Sequence, residues 1–342
     1  MPADAPAVAA LRRIAFLLER AHEPTYRVQA FRRAAATVET MDAAELDRRV
    51  AAGTLEQLQG IGKVTALAIT EAQHGETPIY LRRLEATEGT PVQEGSAAIR
   101  QALRGDCHTH SDWSDGGSPI REMAETARDL GHEYMVLTDH SPRLSVANGL
   151  SPARLREQLA VVRGLNEELA PFRILTGIEV DINEDGTLDQ EPELLAQLDV
   201  VVASVHSKLR MPREEMTVRM VTAIANPHTD ILGHCTGRLV VGRGRPESEF
   251  DPEIVFEACR RFDVAVEINS RPERKDPPKR LLRLAVEAGC KLSIDTDAHA
   301  PGQLDWQTIG CDRAAACGVA VESVINTQSA DALVAWAAAR RA

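Results

Sequence analysis

Short apolar runs that end on a histidine or a carboxylate recur through residues 104–342, and this recurrence constrains the fold more than any other feature. The endings read Asp106-Cys107-His108-Thr109-His110, Leu137-Thr138-Asp139-His140, Gly177-Ile178-Glu179, Ser204-Val205-His206, Leu232-Gly233-His234 and Thr296-Asp297-Ala298-His299. Amphipathic helical stretches separate the runs. That alternation is the pattern of βαβ units on a parallel sheet, where strands covered on both faces are mostly apolar and each crossover carries a helix. Strands are expected at Tyr134–Thr138, Arg173–Val180, Val200–Val205, Asp230–Gly233, Val264–Ile268 and Lys291–Asp295, with a first, weakly apolar one just before His108. One helix is expected between Ser118 as N-cap, with Pro119 at the first helical position, and Gly131 past the end.

In barrels and open parallel sheets, functional side chains gather at the carboxyl ends of the strands. Here that rule converges His108, His110, Asp115, His140, Glu179, His206, His234, Asp297 and His299 on one cavity. His108 and His110 are two apart, so on a strand both imidazoles face the same side, and Asp297 with His299 repeats the spacing. Imidazole with carboxylate suits Zn, Mn or Fe(II) better than Ca. Nine ligands exceed what one catalytic zinc takes, so two or three divalent ions sharing carboxylates are expected. A closed structural zinc site would be richer in cysteine. A further run ends Glu267-Ile268-Asn269 and offers a less obvious ligand. His22, His74, His132 and His228 read as structural or surface residues.

The 342 residues suit one large domain with one small one, and 44% hydrophobic residues with 4% aromatics imply an aliphatic core. The net charge of −12 argues against a surface coated for non-specific nucleic-acid binding, and a carboxylate-built metal site adds to that acidity. Cys107, Cys235, Cys259, Cys290, Cys311 and Cys317 form no CxxC pair and read as reduced thiols of a cytoplasmic protein. No stretch approaches the apolar length of a membrane span and no secretory h-region opens the chain, so no membrane association is expected.

Residues 1–88 differ in texture. AVAALRRIAFLLERA (7–21) places its apolar residues at helical spacing and VQAFRRAAATVETM continues in that style, so a small all-α domain is expected over 1–88. Gly89, Thr90, Pro91, Gly95 and Ser96 mark a linker over 89–103, and the α/β domain is expected over 104–342.

The runs HTHSDWSDG, LTDH, GIEVDI, SVHSK, DILGHCTGR and IDTDAH together resemble the PHP (polymerase and histidinol phosphatase) family, over about residues 104–335. TGR after His234 and EINSRPERKD at 267–276 are most similar to the PHP domain at the C-terminus of bacterial X-family DNA polymerases. The resemblance implies a distorted (β/α)7 barrel with a trinuclear centre. Carried over by motif, one ion sits on His108, His110, Glu179 and Asp297, a second on Asp115, His140 and His299, and a third on Glu179, His206 and His234, with Glu179 bridging. Such ions activate water for in-line attack on phosphorus. Arg143, Lys208, Arg238 and Arg271 lie in the same loops and are candidates to clamp phosphate oxygens, Lys208 and Arg271 foremost. Cys235, where that branch commonly has proline, is a weaker candidate for an extra ligand.

LQGIGKVTALAI (58–69) resembles a helix-hairpin-helix motif, in which Gly60 and Gly62 let backbone N–H groups approach a DNA phosphate and Lys63 adds charge. With YRVQAFRRAA and GETPIYLRRLE around it, residues 1–88 resemble the N-terminal domain of X-family polymerases. The polymerase palm that separates the two parts in that family has no counterpart in the short linker, so no polymerase activity is expected. The family's lyase lysine aligns with Ala68, so no lyase activity is expected either. The combined reading is a phosphoesterase acting at DNA ends, of 3′–5′ exonuclease, 3′-phosphatase or abasic-endonuclease type. Its rivals are a small-molecule phosphatase of histidinol-phosphatase type and a non-catalytic DNA-end-binding protein.

Overall fold

A computed structural model describes residues 6–88 and 94–341. The chain falls into two compact units, Met1–Pro91 and Val92–Ala342. The first is helical: α1 (Pro6–Arg20), α2 (Thr25–Glu39), α3 (Ala43–Ala52), α4 (Lys63–Gln73) and α5 (Ile79–Glu88). The spacing of Leu11, Ile14, Leu17 and Leu18 gives α1 one apolar face, which shares a core with Val28, Phe31 and Ile69. The Asp42 side chain caps α3 by accepting from the Ala44 and Glu45 amides. Gly60 takes φ +86° in the turn before α4, a left-handed conformation that glycine adopts without strain.

The second unit opens with α6 (Ala97–Ala102), then alternates β1 (Gly105–Thr109), α7 (Ile120–Asp129), β2 (Tyr134–Leu137), α8 (Pro152–Leu169), β3 (Arg173–Asp181), α9 (Pro192–Leu195), β4 (Val200–Ser204), α10 (Arg213–Ile224), β5 (Ile231–Leu232), α11 (Pro252–Arg261), β6 (Ala265–Asn269), α12 (Lys279–Glu287), β7 (Leu292–Asp295), α13 (Gln307–Ala316) and α14 (Ala330–Ala339). Seven parallel strands pair in sequence order. The sheet curls until the end of β1 meets the segment after β7, where the His110 amide donates to the Ala298 carbonyl at 2.8 Å. The strands are buried almost throughout, as both faces of a barrel sheet must be. The fold is therefore the expected (β/α)7 barrel preceded by a helical domain.

Three local expectations shift. The first strand does not stop before His108 but carries it. Its weak apolar signal has a physical cause: it is fixed by polar bonds across the closing seam, with the Cys107 amide donating to Asp295 Oδ1 at 2.8 Å and the Thr296 hydroxyl to Asp106 Oδ2 at 2.5 Å. Helix α7 begins at Ile120, with Pro119 rather than Ser118 at the cap. Residues 97–102, expected in the linker, form α6, whose Ile99 joins the barrel core together with Leu103.

Candidate metal centre

All nine expected ligands stand at one end of the barrel. His108 is in β1 and Glu179 in β3, and the other seven follow directly on β1, β2, β4, β5 and β7. Asp115 is reached by a tight turn in which the Gly116 amide donates to the Ser111 carbonyl. A Cβ on Gly116 would lie 2.6 Å from that backbone, so the turn requires glycine.

Glu179 is the hub. Its Oε2 lies 3.3 Å from His108 Nε2, 3.6 Å from His110 Nε2 and 2.9 Å from His140 Nδ1. Its Oε1 lies 3.2 Å from His206 Nε2 and 2.8 Å from His234 Nε2. Asp115 Oδ1 lies 3.5 Å from His140 Nε2 and 3.3 Å from His299 Nε2. Asp297 Oδ1 lies 3.4 Å from His110 Nε2. Three sets have ligand atoms within 4.8 Å of one another: His110, Asp115, His140 and His299; His108, His110 and Glu179; and His140, Glu179 and His206. His110 and His140 thus each fall into two sets, where the motif gives each a single ion. His234 and Asp297 lie outside these sets, although both contact their members.

Several of these atoms are buried without a hydrogen bond: His108 Nε2, both nitrogens of His110 and of His206, His140 Nδ1 and Glu179 Oε2. Buried polar groups ordinarily find partners. A cluster of orphaned imidazole nitrogens around one carboxylate is the donor set that divalent cations complete, so the residues fit the group.

The electrostatics agree. Burial opposes charge on Glu179, but His108, His206 and His140 outweigh it and hold the carboxyl well below the usual range. Burial likewise opposes charge on Asp297, and Arg274 and Arg271 pull it well below. Both carboxyl groups are thus held in the charged form by the positive groups around them.

Three supporting residues stand outside the expected ligand set, and of these the sequence pointed only to the run of Glu267, as a less obvious ligand. Glu267 Oε1 lies 2.6 Å from His108 Nδ1, which turns Nε2 toward Glu179, and its other oxygen accepts from the His234 amide. Carboxylates that orient ligand imidazoles in this way are ordinary companions of metal sites. Its place at the end of β6, where the other strands carry ligands, was the available signal. Asp181 Oδ1 accepts from the His206 amide at 3.1 Å and lies 3.5 Å from its Nδ1. Arg274 Nε donates to Asp297 Oδ2 at 2.9 Å.

The four candidate phosphate clamps divide. Arg271 Nη1 reaches 3.5 Å from Asp297 Oδ1 and 3.3 Å from His299 Nδ1, at the edge of the cluster. Lys208 is exposed on the loop after β4, and no described residue partners its ammonium. Arg143 donates to Asn183 Oδ1 at 2.8 Å beside Glu184 and Asp181. Arg238 departs from expectation: it donates to the Arg274 carbonyl at 3.0 Å and to the Lys275 carbonyl, so it braces the loop after β6 instead of facing the centre. Cys235 is buried with Sγ toward Asp276, not toward the cluster.

In the helical unit, the Gly62 amide donates to Thr65 Oγ1 at 2.9 Å, and Lys63 is exposed at the first turn of α4. A Cβ on Gly62 would meet nothing within 4 Å, so open space lies before that backbone. Among the described residues no helix is long and apolar enough to cross a membrane.

The PHP domain model matches residues 106–271, and a helix-hairpin-helix domain model matches residues 3–77. The chain is 43% identical over 227 residues to the DNA polymerase/3′-5′ exonuclease PolX of Bacillus subtilis (strain 168), a match covering 66% of this chain and 40% of that protein. It is 31% identical over 205 residues to a protein named "Probable phosphatase" from Thermoanaerobacter sp. (strain X514), covering 57% of this chain and 78% of that one. The crystal structure of histidinol phosphate phosphatase from Lactococcus lactis superposes with a TM-score of 0.46 at 19% identity, over 62% of this chain and 92% of that one.

Proposed function

The chain belongs to the PHP-domain phosphoesterase family, and from that premise we propose that it is a metal-dependent phosphoesterase acting at DNA ends, of 3′–5′ exonuclease, 3′-phosphatase or abasic-endonuclease type, without polymerase activity. The observation that carries the metal dependence is Glu179, ionised in a buried site with five imidazoles around its two oxygens. Two or three divalent ions, Zn, Mn or Fe, would be held by the nine residues, with Glu179 shared. Bound cations supply Lewis acidity: they bring the pKa of water toward neutrality and offset charge on phosphate oxygens. The protein's own part is positional. Glu267 fixes the ring of His108, Asp181 holds the backbone amide of His206, and Arg274 the carboxylate of Asp297. Arg271 and Lys208 orient the non-bridging oxygens of the substrate.

The DNA-end reading draws on the helix-hairpin-helix match and on the likeness to PolX, of which this chain spans 40%. A small-molecule phosphatase is the second reading, favoured by relatives named as phosphatases, of one of which the match covers 78%. A side-by-side assay with Mn(II) separates them: labelled DNA with a free 3′ end against histidinol phosphate. We expect turnover of the DNA. Turnover of histidinol phosphate alone would overturn the DNA-end reading, and inertness toward both with metal restored would overturn the phosphoesterase reading itself.

A further inference from the structure

Beside the metal centre, on the flank of the same barrel end, lies a second cavity of about 330 Å³, lined by Arg238, Lys275, Lys279, Ile309, Asp312 and Arg313. Four cations thus face one carboxylate, on a chain whose net charge is −12. Even that carboxylate is engaged, since Asp312 accepts from the Ser96 hydroxyl. Behind the wall, the buried carboxylate of Asp276 accepts from the Thr236 amide at 3.1 Å, from its hydroxyl and from the Arg238 amide at 3.4 Å, and so offsets part of that positive charge.

The two arginines are held chiefly by neutral groups. Arg313 is buried and donates to the carbonyls of Asn269 and Asp276, both at 3.2 Å, and of Pro277. Arg238 donates to the carbonyls of Arg274 and Lys275, and its acidic neighbour Glu247, 3.5 Å away, also pairs with Arg280. Carbonyls satisfy the N–H groups without cancelling the charge. Arg313, buried with only carbonyls accepting from it, leaves positive charge in the wall, to which the half-buried Arg238 adds what Glu247 does not offset. Lys275 and Lys279 stand exposed at the mouth, with no ion-pair partner for either ammonium among the described residues.

We propose that this cavity is a second phosphate subsite, which takes an internal phosphodiester of the polynucleotide whose end lies at the metal centre. The inference rests on the DNA-end reading and extends it to a means of selecting chain length. The two sites share the loop after β6: Arg274 Nε donates to Asp297 at the centre, and the next residue, Lys275, lines the cavity. A monoester has one phosphate and spends it at the metals. A polynucleotide presents a phosphate at every nucleotide and fills both sites.

The test is a Lys275→Ala/Lys279→Ala double variant of the full chain, assayed with Mn(II) on a 5′-labelled oligothymidylate and on p-nitrophenyl phosphate. We expect kcat/KM on the oligonucleotide to fall about tenfold, mostly through KM, and the salt dependence of KM to become shallower by one to two in log–log slope. The rate on p-nitrophenyl phosphate stays within twofold, and Lys275→Arg/Lys279→Arg restores the oligonucleotide KM. Equal losses on both substrates would show that the lysines merely shape the centre, which overturns the subsite. An oligonucleotide cleaved equally well by wild type and double variant overturns the subsite and leaves the DNA-end reading intact. A wild-type chain that hydrolyses p-nitrophenyl phosphate but no oligonucleotide overturns both.

Discussion

At the carboxyl end of the barrel, the other eight candidate ligands and the carboxylates of Glu267 and Asp181 crowd around Glu179, whereas the helical unit offers the exposed backbone at Gly62 leading into α4 and the single side chain of Lys63. Both are proposed to meet phosphate, yet one does so through residue identity and the other through backbone shape. Side-chain chemistry of the first kind cannot be substituted without loss, because each imidazole or carboxylate contributes a specific lone pair. Backbone chemistry of the second kind tolerates most sequences, provided that nothing fills the space in front of it. The two regions should therefore respond to mutation by different mechanisms, and the largest effects belong to the barrel.

The largest is expected at Asp297 and His108. Asp297→Asn or His108→Ala removes a ligand from a buried cluster and should cut turnover at least about a hundredfold, with folding retained. Chelation should abolish hydrolysis, and Mn or Zn should restore it. Elemental analysis finding less than one metal per chain in fully active protein, or wild-type turnover in either variant, would place the chemistry elsewhere. The next largest is expected at Glu267, which touches the ligand and not the ion. Glu267→Gln should weaken metal retention or activity by about tenfold or more, as loss of such orienting partners does. Competition with a chelator measures it. Unchanged metal affinity would mean that His108 needs no orienting partner.

The barrel was legible because its signal recurs: each of six strand ends carries a candidate ligand, and the spacing of His108 and His110 already puts two rings on one face. Where that redundancy stopped, so did the reading. Glu267 stood at a strand end like the others, but its task is to hold a ligand's far nitrogen, a relation that crosses the barrel from β6 to β1. Arg238 and Arg274 occupy neighbouring loops with similar composition, and only the folded contacts tell the one that grips carbonyls from the one that grips Asp297. Strand β1 was faint because its last turns are secured by Asp106 and Asp295 rather than by apolar packing. In the helical unit the apolar periodicity was plain, but Gly60 and Gly62 looked equivalent in sequence. They are not: Gly60 needs its positive φ, whereas Gly62 has φ −106° with open space before it.

That inequality makes Gly62→Val the cleaner probe of the proposed DNA contact. A Cβ there meets no neighbour within 4 Å and imposes no left-handed strain, so the fold should persist while backbone approach to phosphate is blocked. We expect kcat/KM on DNA to fall about tenfold, equivalent to about 1.4 kcal/mol, with the rate on p-nitrophenyl phosphate within a few-fold. Gly60→Val would confound this with strain at φ +86°. Removal of the helical unit should act alike, but the cut belongs at Val92, since starting near Arg104 would strip Ile99 and Leu103 from the barrel core. Equal losses on both substrates would mean that the helical unit only stabilises the barrel, and no loss on DNA would favour the small-molecule phosphatase.

The smallest expected effect is none at all, and it sharpens the contrast further. If the helical unit works only through its backbone, it should carry out no covalent chemistry. The lyase lysine of the resembled family aligns with Ala68, which is 1% exposed and packed in the core of the unit on α4. Lys63 is the only lysine among residues 1–88, and it is exposed at the first turn of that helix. A Schiff-base lysine has to lose its proton, which requires desolvation or a neighbouring cation to depress its pKa. Lys63 stands exposed five residues before the position that the family's lysine takes. Borohydride should therefore trap no adduct between residues 1–88 and an incised abasic substrate, under conditions where the same substrate is bound. An adduct mapped to Lys63 would overturn this, because the hairpin would then contribute a nucleophile as well as a surface.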